Sequence, residues 1–427
     1  MVKQHLPAVE LPQVVSQIIG RWDDFNFLRA FHDMDCLRGF ATDFKWSSNI
    51  VNEKLQRFLP VSMAGPLSRC GSPHLPARIA HVDPLSFVYM LLLKAGISGQ
   101  RRRTEYSKQQ GQAVGIATKN LARRLNAGAV FSYSYYAGWT FDDLEPQFLR
   151  LLHQVHPYAP ALKKIYEQEM SRGSLLSEHL RDELEIGGDR DFYDKLTSGA
   201  RMAQHIVVAS EFTKQTLISE GILPERISII PYGTDLGHFS LGPGTGSGKM
   251  KVLFVGSISA RKGIGYLLEA WRLLNPQSAE LIIVGQVPNN REIHDALSRS
   301  GATVLGRVDQ QRLLELFQSA SLFCLPSIAE GFGLVFLQAL ACGTPILGTE
   351  ATGAADITRR DPEVGFLVKA ASVESLATGL EKALSMQHTL TQLRPLCSMV
   401  ANHYTWTDFR QNVQDWYKGI YNLQPNR

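Results

Sequence analysis

The densest group of chemically useful residues is an acid followed by a glycine turn, Glu330-Gly331-Phe332-Gly333. Before it, Ser321 to Pro326 is an apolar run of strand length, and after it Gly333 to Cys342 has helical composition. Gly343 stands where a helix stop is expected, and Ile346 and Leu347 begin the next apolar run. Strand, turn, helix and strand make one β-α-β unit. The backbone N–H groups opening such a helix carry the positive end of its dipole and suit a phosphate. Glycines let that backbone approach a ligand closely. Glu330 can then bind hydroxyl groups of whatever the phosphate carries. A pair of cations, Arg261 and Lys262, lies in the turn Gly256 to Gly263 after the buried-type run Lys251 to Val255. Fixed positive groups in such a turn act on developing negative charge.

Other chemistry-bearing residues carry less. His153 and His156 are three apart but lack further ligands nearby, which favours surface or supporting histidines over a metal pair. Gly242, Gly244, Gly246 and Gly248 with Pro243 read as a linker. The phosphate-loop pattern fails there, because Met250 follows Lys249 and the glycines precede a strand. The five cysteines, Cys36, Cys70, Cys324, Cys342 and Cys397, are odd in number and widely spaced. A reducing compartment and buried free thiols are expected.

The elements that must position these groups alternate. Val14 to Ile19 reads as a strand ending at Gly20-Arg21, Phe25 to Met34 as a helix, and Cys36 to Phe44 as a second strand. Ala203 to Ser210, Ile227 to Pro231, Leu281 to Val284, Ala302 to Leu305 and Gly365 to Val368 are further strand-like runs. Helical spacing follows Ile264 and covers Glu211 to Glu220, Gln311 to Ser319 and Val373 to Met386. Such alternation implies parallel sheets covered by helices on both faces.

A chain of 427 residues exceeds one ordinary domain. Its 44% hydrophobic and 20% charged residues and net charge of +4 are ordinary for a soluble globular protein. The first residues have no signal-peptide pattern, and the longest apolar run, Phe87 to Leu93, is too short to span a bilayer. Ser98 to Arg124 sets Arg101, Arg102, Arg103, Lys108, Lys119, Arg123 and Arg124 against Glu105 alone. It reads either as a solvated face or as a docking face for anionic lipid or an acidic acceptor. No zinc spacing or RNA-binding aromatic motif accompanies it, so nucleic acid is not expected.

The Glu-Gly-Phe-Gly turn resembles the fingerprint of the family-4 glycosyltransferases (glycosyl transferases group 1), retaining enzymes of the GT-B fold. The fingerprint's second acid, eight positions after the first, is here Gln338. The block from Val207 to Asp235 also resembles the family's segment ending the first domain, and the likeness is good over about 200 to 420 and poor before it. In Ala129 to Trp139, which resembles the strand and loop where relatives place an acceptor-side His, no His occurs. Asp33-Met34-Asp35 and Asp189-Arg190-Asp191 look like the metal motif of the other glycosyltransferase fold but do not follow its sheet pattern.

The resemblance implies an α/β protein with two Rossmann-like, doubly wound parallel-sheet domains facing a cleft. The acceptor-side domain is expected at 1–239 and the nucleotide-sugar domain at 250–403. The segment 404–427 is expected as a final helix returning to the first domain, with plain packing on the second as the alternative. The implied activity is retaining transfer of a hexose from a nucleotide diphosphate sugar, UDP favoured over GDP, to a saccharide, lipid-linked or small-molecule acceptor. A nucleotide-sugar-binding protein with weak or no transfer is the alternative. A dinucleotide oxidoreductase is disfavoured, since no Gly-x-Gly-x-x-Gly follows a strand. Relatives carry an Arg where Ser257 stands and a Lys where Lys262 stands, so Arg261 is taken to supply the missing guanidinium. Arg261, Lys262 and Glu330 are the implied catalytic residues. Gly256, Ser257, Arg307, Val308, Gly331, Phe332, Gly333, Leu334 and Gln338 are the implied further donor contacts. No metal or other cofactor is implied. A cytoplasmic setting is expected, with peripheral contact at an anionic membrane as a further candidate.

Overall fold

Short apolar runs that carry no partner of their own must pair side by side, and parallel pairing needs a crossover between consecutive strands. The computed structural model builds the chain that way. It describes residues 11–18, 23, 25–42, 75, 80–82, 100–183, 190–242, 244 and 248–422. The Gly20-Arg21 turn, the end of the second predicted strand, Cys70, the Phe87 to Leu93 run, Pro243 and Gly246 of the linker, and Asp189 lie outside those residues.

The first sheet collects β1 (Val14–Ile18), β2 (Leu37–Thr42), β3 (Ala80–Val82), β4 (Ala129–Tyr133), β5 (Leu149–Gln154), β6 (His205–Val208) and β7 (Ile227–Ile229). Their order is β3-β2-β1-β4-β5-β6-β7, and the pairings of β1 with β2 and β4, β2 with β3, and β4 with β5 are parallel. The helices of this part are α1 (Asn26–Asp33), α2 (Gln100–Arg124), α3 (Ser134–Phe141), α4 (Ala159–Arg172), α5 (Arg190–Met202) and α6 (Glu211–Ile218). The basic segment of the sequence is therefore one long helix, α2. The stretch expected as strand and loop over 129–139 is instead β4 passing directly into α3. Close packing explains the helix: a Cβ on Gly138 would lie 2.0 Å from the Lys195 carbonyl oxygen of α5.

The second sheet holds β8 (Met250–Val255), β9 (Ala279–Val284), β10 (Thr303–Gly306), β11 (Leu322–Leu325), β12 (Ile346–Thr349) and β13 (Gly365–Val368). Its order is β10-β9-β8-β11-β12-β13, with all five pairings parallel. This is the doubly wound arrangement, in which the winding reverses between β8 and β11. Its crossover helices are α7 (Ile264–Leu274), α8 (Arg291–Arg299), α9 (Gln310–Ser319), α10 (Leu334–Ala341) and α11 (Ala354–Arg360). Then come α12 (Val373–Ser385), α13 (Gln387–Gln392), α14 (Arg394–Ala401) and α15 (Trp406–Asn422). Every residue of β11 and β12 is buried, as near-continuous apolar runs covered on both faces should be.

By contacts the chain divides into one unit of 1–153, 190–206 and 410–427, and another of 154–189 and 207–409. The sequence boundary at 239 falls elsewhere. Long-range bonds explain why 154–189 joins the second unit. Tyr158 N–H donates to Thr216 Oγ1 at 2.9 Å, Lys164 pairs with Glu220 at 2.7 Å, and buried Glu169 accepts from Tyr266 and Ser174 hydroxyls. Within the first unit, Arg410 of α15 donates to Asn26 at 2.9 Å and Tyr417 to the Pro12 carbonyl at 2.7 Å.

Candidate active site

The carboxyl ends of β8 and β11 sit side by side, since Val252 pairs with Leu322 and Leu253 with Phe323. The turns leaving these two strands run to opposite faces, and such a switch point opens a crevice. The turn after β8 carries Arg261 and Lys262; the turn after β11 carries Glu330. Ile328 N–H donates to the Arg261 carbonyl at 2.9 Å and ties one turn to the other. Gly263, with φ of 71°, lets the two backbones touch: a Cβ there would lie 1.9 Å from the Pro326 carbonyl oxygen.

The side chains converge. Lys262 Nζ donates to Glu330 Oε2, and Arg261 Nη1 donates to the same oxygen at 3.2 Å. Arg261 Nε also lies 3.6 Å from Glu183 Oε1. Burial alone would push the Glu330 carboxyl up, but Lys262 and Arg261 override it and hold it at about 2. Burial lowers the Lys262 pKa, and Glu330 opposes that shift. The result is a pair of cations that share one resident carboxylate, in a half-dry setting where an incoming anion would compete for them.

His156, set aside in the sequence, belongs to this cluster. It follows β5 and is part-buried. Burial first, then the Arg261 guanidinium, lowers its pKa to about 4, so its imidazole is neutral near pH 7. A Cβ on Gly331 would lie 2.2 Å from the Val155 carbonyl oxygen and 3.4 Å from His156 Cα, so glycine at 331 is what lets the segment carrying His156 lie against the turn. His153, by contrast, is fully buried against the rings of Phe27 and Tyr133.

The turn itself is clamped through its carbonyls. Ser210 Oγ and Thr213 Oγ1 donate to the Gly331 carbonyl at 2.5 and 3.1 Å, and Gly353 N–H donates to the Phe332 carbonyl at 2.8 Å. Ser210 also caps α6 by accepting from Thr213 N–H. No acceptor among the described residues pairs with the N–H groups from Gly331 to Val335, which open α10. This is the arrangement an anion can complete.

The remaining predicted contacts lie along the same sheet edge. Gly256 N–H donates to the Val284 carbonyl at 2.9 Å, and Ser257 is exposed. Arg307 and Val308 follow β10, with the Arg307 guanidinium donating to Gln286 Oε1. Gln338 is half-buried, one turn into α10. Among the described residues no hydrogen bond links Arg307, Val308 or Gln338 to the Arg261–Lys262–Glu330 cluster. Glu183 escaped the sequence reading and His156 was read there only as a surface or supporting histidine, since only the fold brings them beside residues 78 to 174 positions away. The Ser210 cap was legible as a Ser three before Thr213, but not its bond to Gly331.

Part of the basic charge on α2 is used within the first unit. Lys108 pairs with Asp191 at 2.9 Å, Arg123 with Glu145 at 2.6 Å, and Lys119 donates to the Asp142 carbonyl at 2.8 Å. The side chains of Arg101, Arg102 and Arg103 lie outside those described. No described helix is long and apolar enough to cross a membrane.

Residues 243–395 match the family described as Glycosyl transferases group 1. An uncharacterized glycosyltransferase, MJ1607, of Methanocaldococcus jannaschii is 30% identical over 214 residues, covering 48% of this chain and 54% of that protein. The D-inositol 3-phosphate glycosyltransferase of Gordonia bronchialis is 26% identical over 281 residues, 60% of this chain and 58% of that one. The chain thus spans about half the length of the curated relatives it matches. Among solved structures, sucrose-phosphate synthase from Thermosynechococcus elongatus superposes with a TM-score of 0.63 at 16% identity, covering 96% of this chain and 100% of that one. Anabaena Alr3699/HepE in complex with UDP-glucose gives 0.60 at 15%, covering 96% of this chain and 100% of that one. With a switch point after β8 and β11, two doubly wound sheets and these likenesses together, residues 243–395 match the glycosyl transferases group 1 family and the chain has the GT-B fold.

Proposed function

We propose that the protein is a retaining glycosyltransferase that moves a hexose from a nucleotide diphosphate sugar, UDP in preference to GDP, to a saccharide, lipid-linked or small-molecule acceptor. The observation that carries this reading is the convergence of Arg261 and Lys262 on Glu330 beside the head of α10. The likeness to a protein crystallised with UDP-glucose supports the choice of nucleotide. In this reading the diphosphate takes Arg261 and Lys262 from Glu330 and meets the N–H groups of Gly331 to Leu334. Glu330, released, accepts from donor-sugar hydroxyls. Gly256, Ser257, Arg307, Val308 and Gln338 line the nucleoside end.

The glycosidic C–O bond breaks with its electron pair going to the terminal phosphate oxygen, and the cations stabilise that charge. The acceptor hydroxyl adds to the same face of the sugar, and its proton passes to the departing phosphate. No side-chain nucleophile or metal is needed for these steps. The proposed setting is cytoplasmic, with Arg101 to Arg103 as the candidate contact to an anionic membrane.

A thermal-shift screen of UDP- and GDP-sugars tests the donor. A ligand at about 100 times its Kd stabilises by roughly 2.7 kcal/mol, and a UDP-sugar is expected to give the largest shift. Absence of a shift with every nucleotide sugar would overturn the reading. Nucleotide release with acceptor present, and the anomeric configuration of the product, then separate transfer from binding alone. The second reading, a binding protein with weak or no transfer, draws on Gln338 and Ser257, which stand where the family carries a Glu and an Arg.

A further inference from the structure

The segment between α4 and α5 lies against the cation-bearing turn and brings one more carboxylate to it. After α4 the chain runs through Leu175 and Leu176 into a short 3-10 turn, Ser177–Asp182, which Glu183 N–H closes onto the Leu180 carbonyl at 3.1 Å. This strap is fixed to the second sheet's helices at three places. The Tyr266 hydroxyl donates to buried Glu169 just upstream. A Cβ on Gly265 would lie 2.2 Å from the Leu175 carbonyl oxygen, so the strap passes flush against the first turn of α7. His179 Nε2 lies 3.0 Å from Glu292 of α8. The strap's far end sets Glu183 Oε1 3.6 Å from Arg261 Nε, with side chains 27% and 21% exposed.

We infer that Glu183 is a positioning residue for the diphosphate clamp, orienting the Arg261 guanidinium through its Nε edge. This rests on the nucleotide-sugar reading of the site. Arginine is a long side chain whose fork works only when its plane is fixed. Among the described residues, Glu183 on the Nε side and Glu330 at Nη1 are carboxylates that fix it. When a diphosphate displaces Glu330, Glu183 still holds the plane at Nε. The guanidinium here comes from position 261, while position 257 holds Ser257.

The test is calorimetric titration with UDP, and with GDP in parallel, of wild type, Glu183→Ala, Glu183→Gln, Arg261→Ala and the double variant Glu183→Ala/Arg261→Ala. Glu183→Ala is expected to weaken UDP binding about fivefold, the scale of a partly buried ion pair. Glu183→Gln, which keeps an acceptor without the charge, should lose about half of that effect on a logarithmic scale. In the Arg261→Ala background the Glu183 substitution should change nothing, because coupled residues share one loss. Unchanged or tighter binding by Glu183→Ala, or an equal loss in both backgrounds, would overturn the inference. Where Glu183→Ala lowers Tm markedly, the Glu183→Gln pair of measurements decides by the same criteria. If Arg261→Ala binds like wild type, or wild type binds neither nucleotide, the clamp reading itself fails and Glu183 loses its role with it. Weak binding by Arg261→Ala beside normal binding by both Glu183 variants sinks the Glu183 inference alone.

Discussion

Burial first, and then the nearby Arg261 cation, make protonating His156 cost more than in a free chain. The unfolded chain takes up a proton near the ordinary value of 6.5, whereas the folded protein waits until about 4. Between those values the unfolded state binds more protons, so stability should fall as pH drops through the window and level off below it. The loss is at most about 3 kcal/mol, less for a group partly open to water. Denaturant titrations from pH 7 to 4 should show the slope in wild type and a flatter one in His156→Gln. Glu330 acts lower: its depressed carboxyl keeps full stabilisation above about 4.5 and loses it as pH falls toward about 2. A third residue is testable through binding. Gln338 can accept from one ribose hydroxyl and donate to the other, without charge assistance. Gln338→Glu should bind UDP tighter by about 1 kcal/mol. The penalty for 2′-deoxy-UDP should shrink in Gln338→Ala, and an equal penalty in both proteins would exclude contact with the 2′-hydroxyl.

Between elements, the contact that matters most is the one the glycine at 263 permits. Gly263→Ala places a Cβ against the Pro326 carbonyl at a left-handed φ, so the turns after β8 and β11 must separate. A loss of about 3 kcal/mol or more is expected, with UDP binding lost beyond detection in whatever folds. Gly301→Ala is the control: its φ is also positive, at 70°, but nothing lies within 4 Å of its Cβ. It should cost only about 1–2 kcal/mol and leave UDP affinity alone. Elements of the second sheet were legible in the sequence because each strand is a short apolar run bounded by glycine or proline, and Ser321 to Thr349 reads off as it folds. The strap over 173–183 was not legible. Its residues are mostly polar, with Leu175, Leu176 and Leu180 at no regular spacing, and what fixes them is Gly265, Tyr266 and Arg261, about 80 to 100 positions on. Ala129 to Trp139 resembled a strand and loop, yet α3 forms over its second half, where small Gly138 lets a helix nest on α5.

At the scale of the molecule, buried Arg394 binds together pieces of the second unit that the chain order leaves apart. It donates to the carbonyls of Gln318 at 2.7 Å, Ala320 at 3.1 Å and Cys342 at 2.9 Å, closing the carboxyl ends of α9 and α10. Arg394→Met keeps the bulk but strands three carbonyls, and should cost about 3 kcal/mol or more in guanidinium unfolding without changing UDP affinity. For the proposed membrane contact, co-sedimentation with anionic vesicles should fall steeply as salt rises. Equal partitioning into neutral vesicles would leave α2 as a solvated face.

The division of the chain also sets an order of events on the ribosome. The first unit opens with β1 yet needs 410–427, where Tyr417 meets Phe31 and the Pro12 carbonyl, and those residues emerge only after all of 207–409. The nascent chain must therefore leave the Tyr417-facing side of Phe31 uncovered while an entire second sheet is being made. The unit that is started first is the one that is finished last.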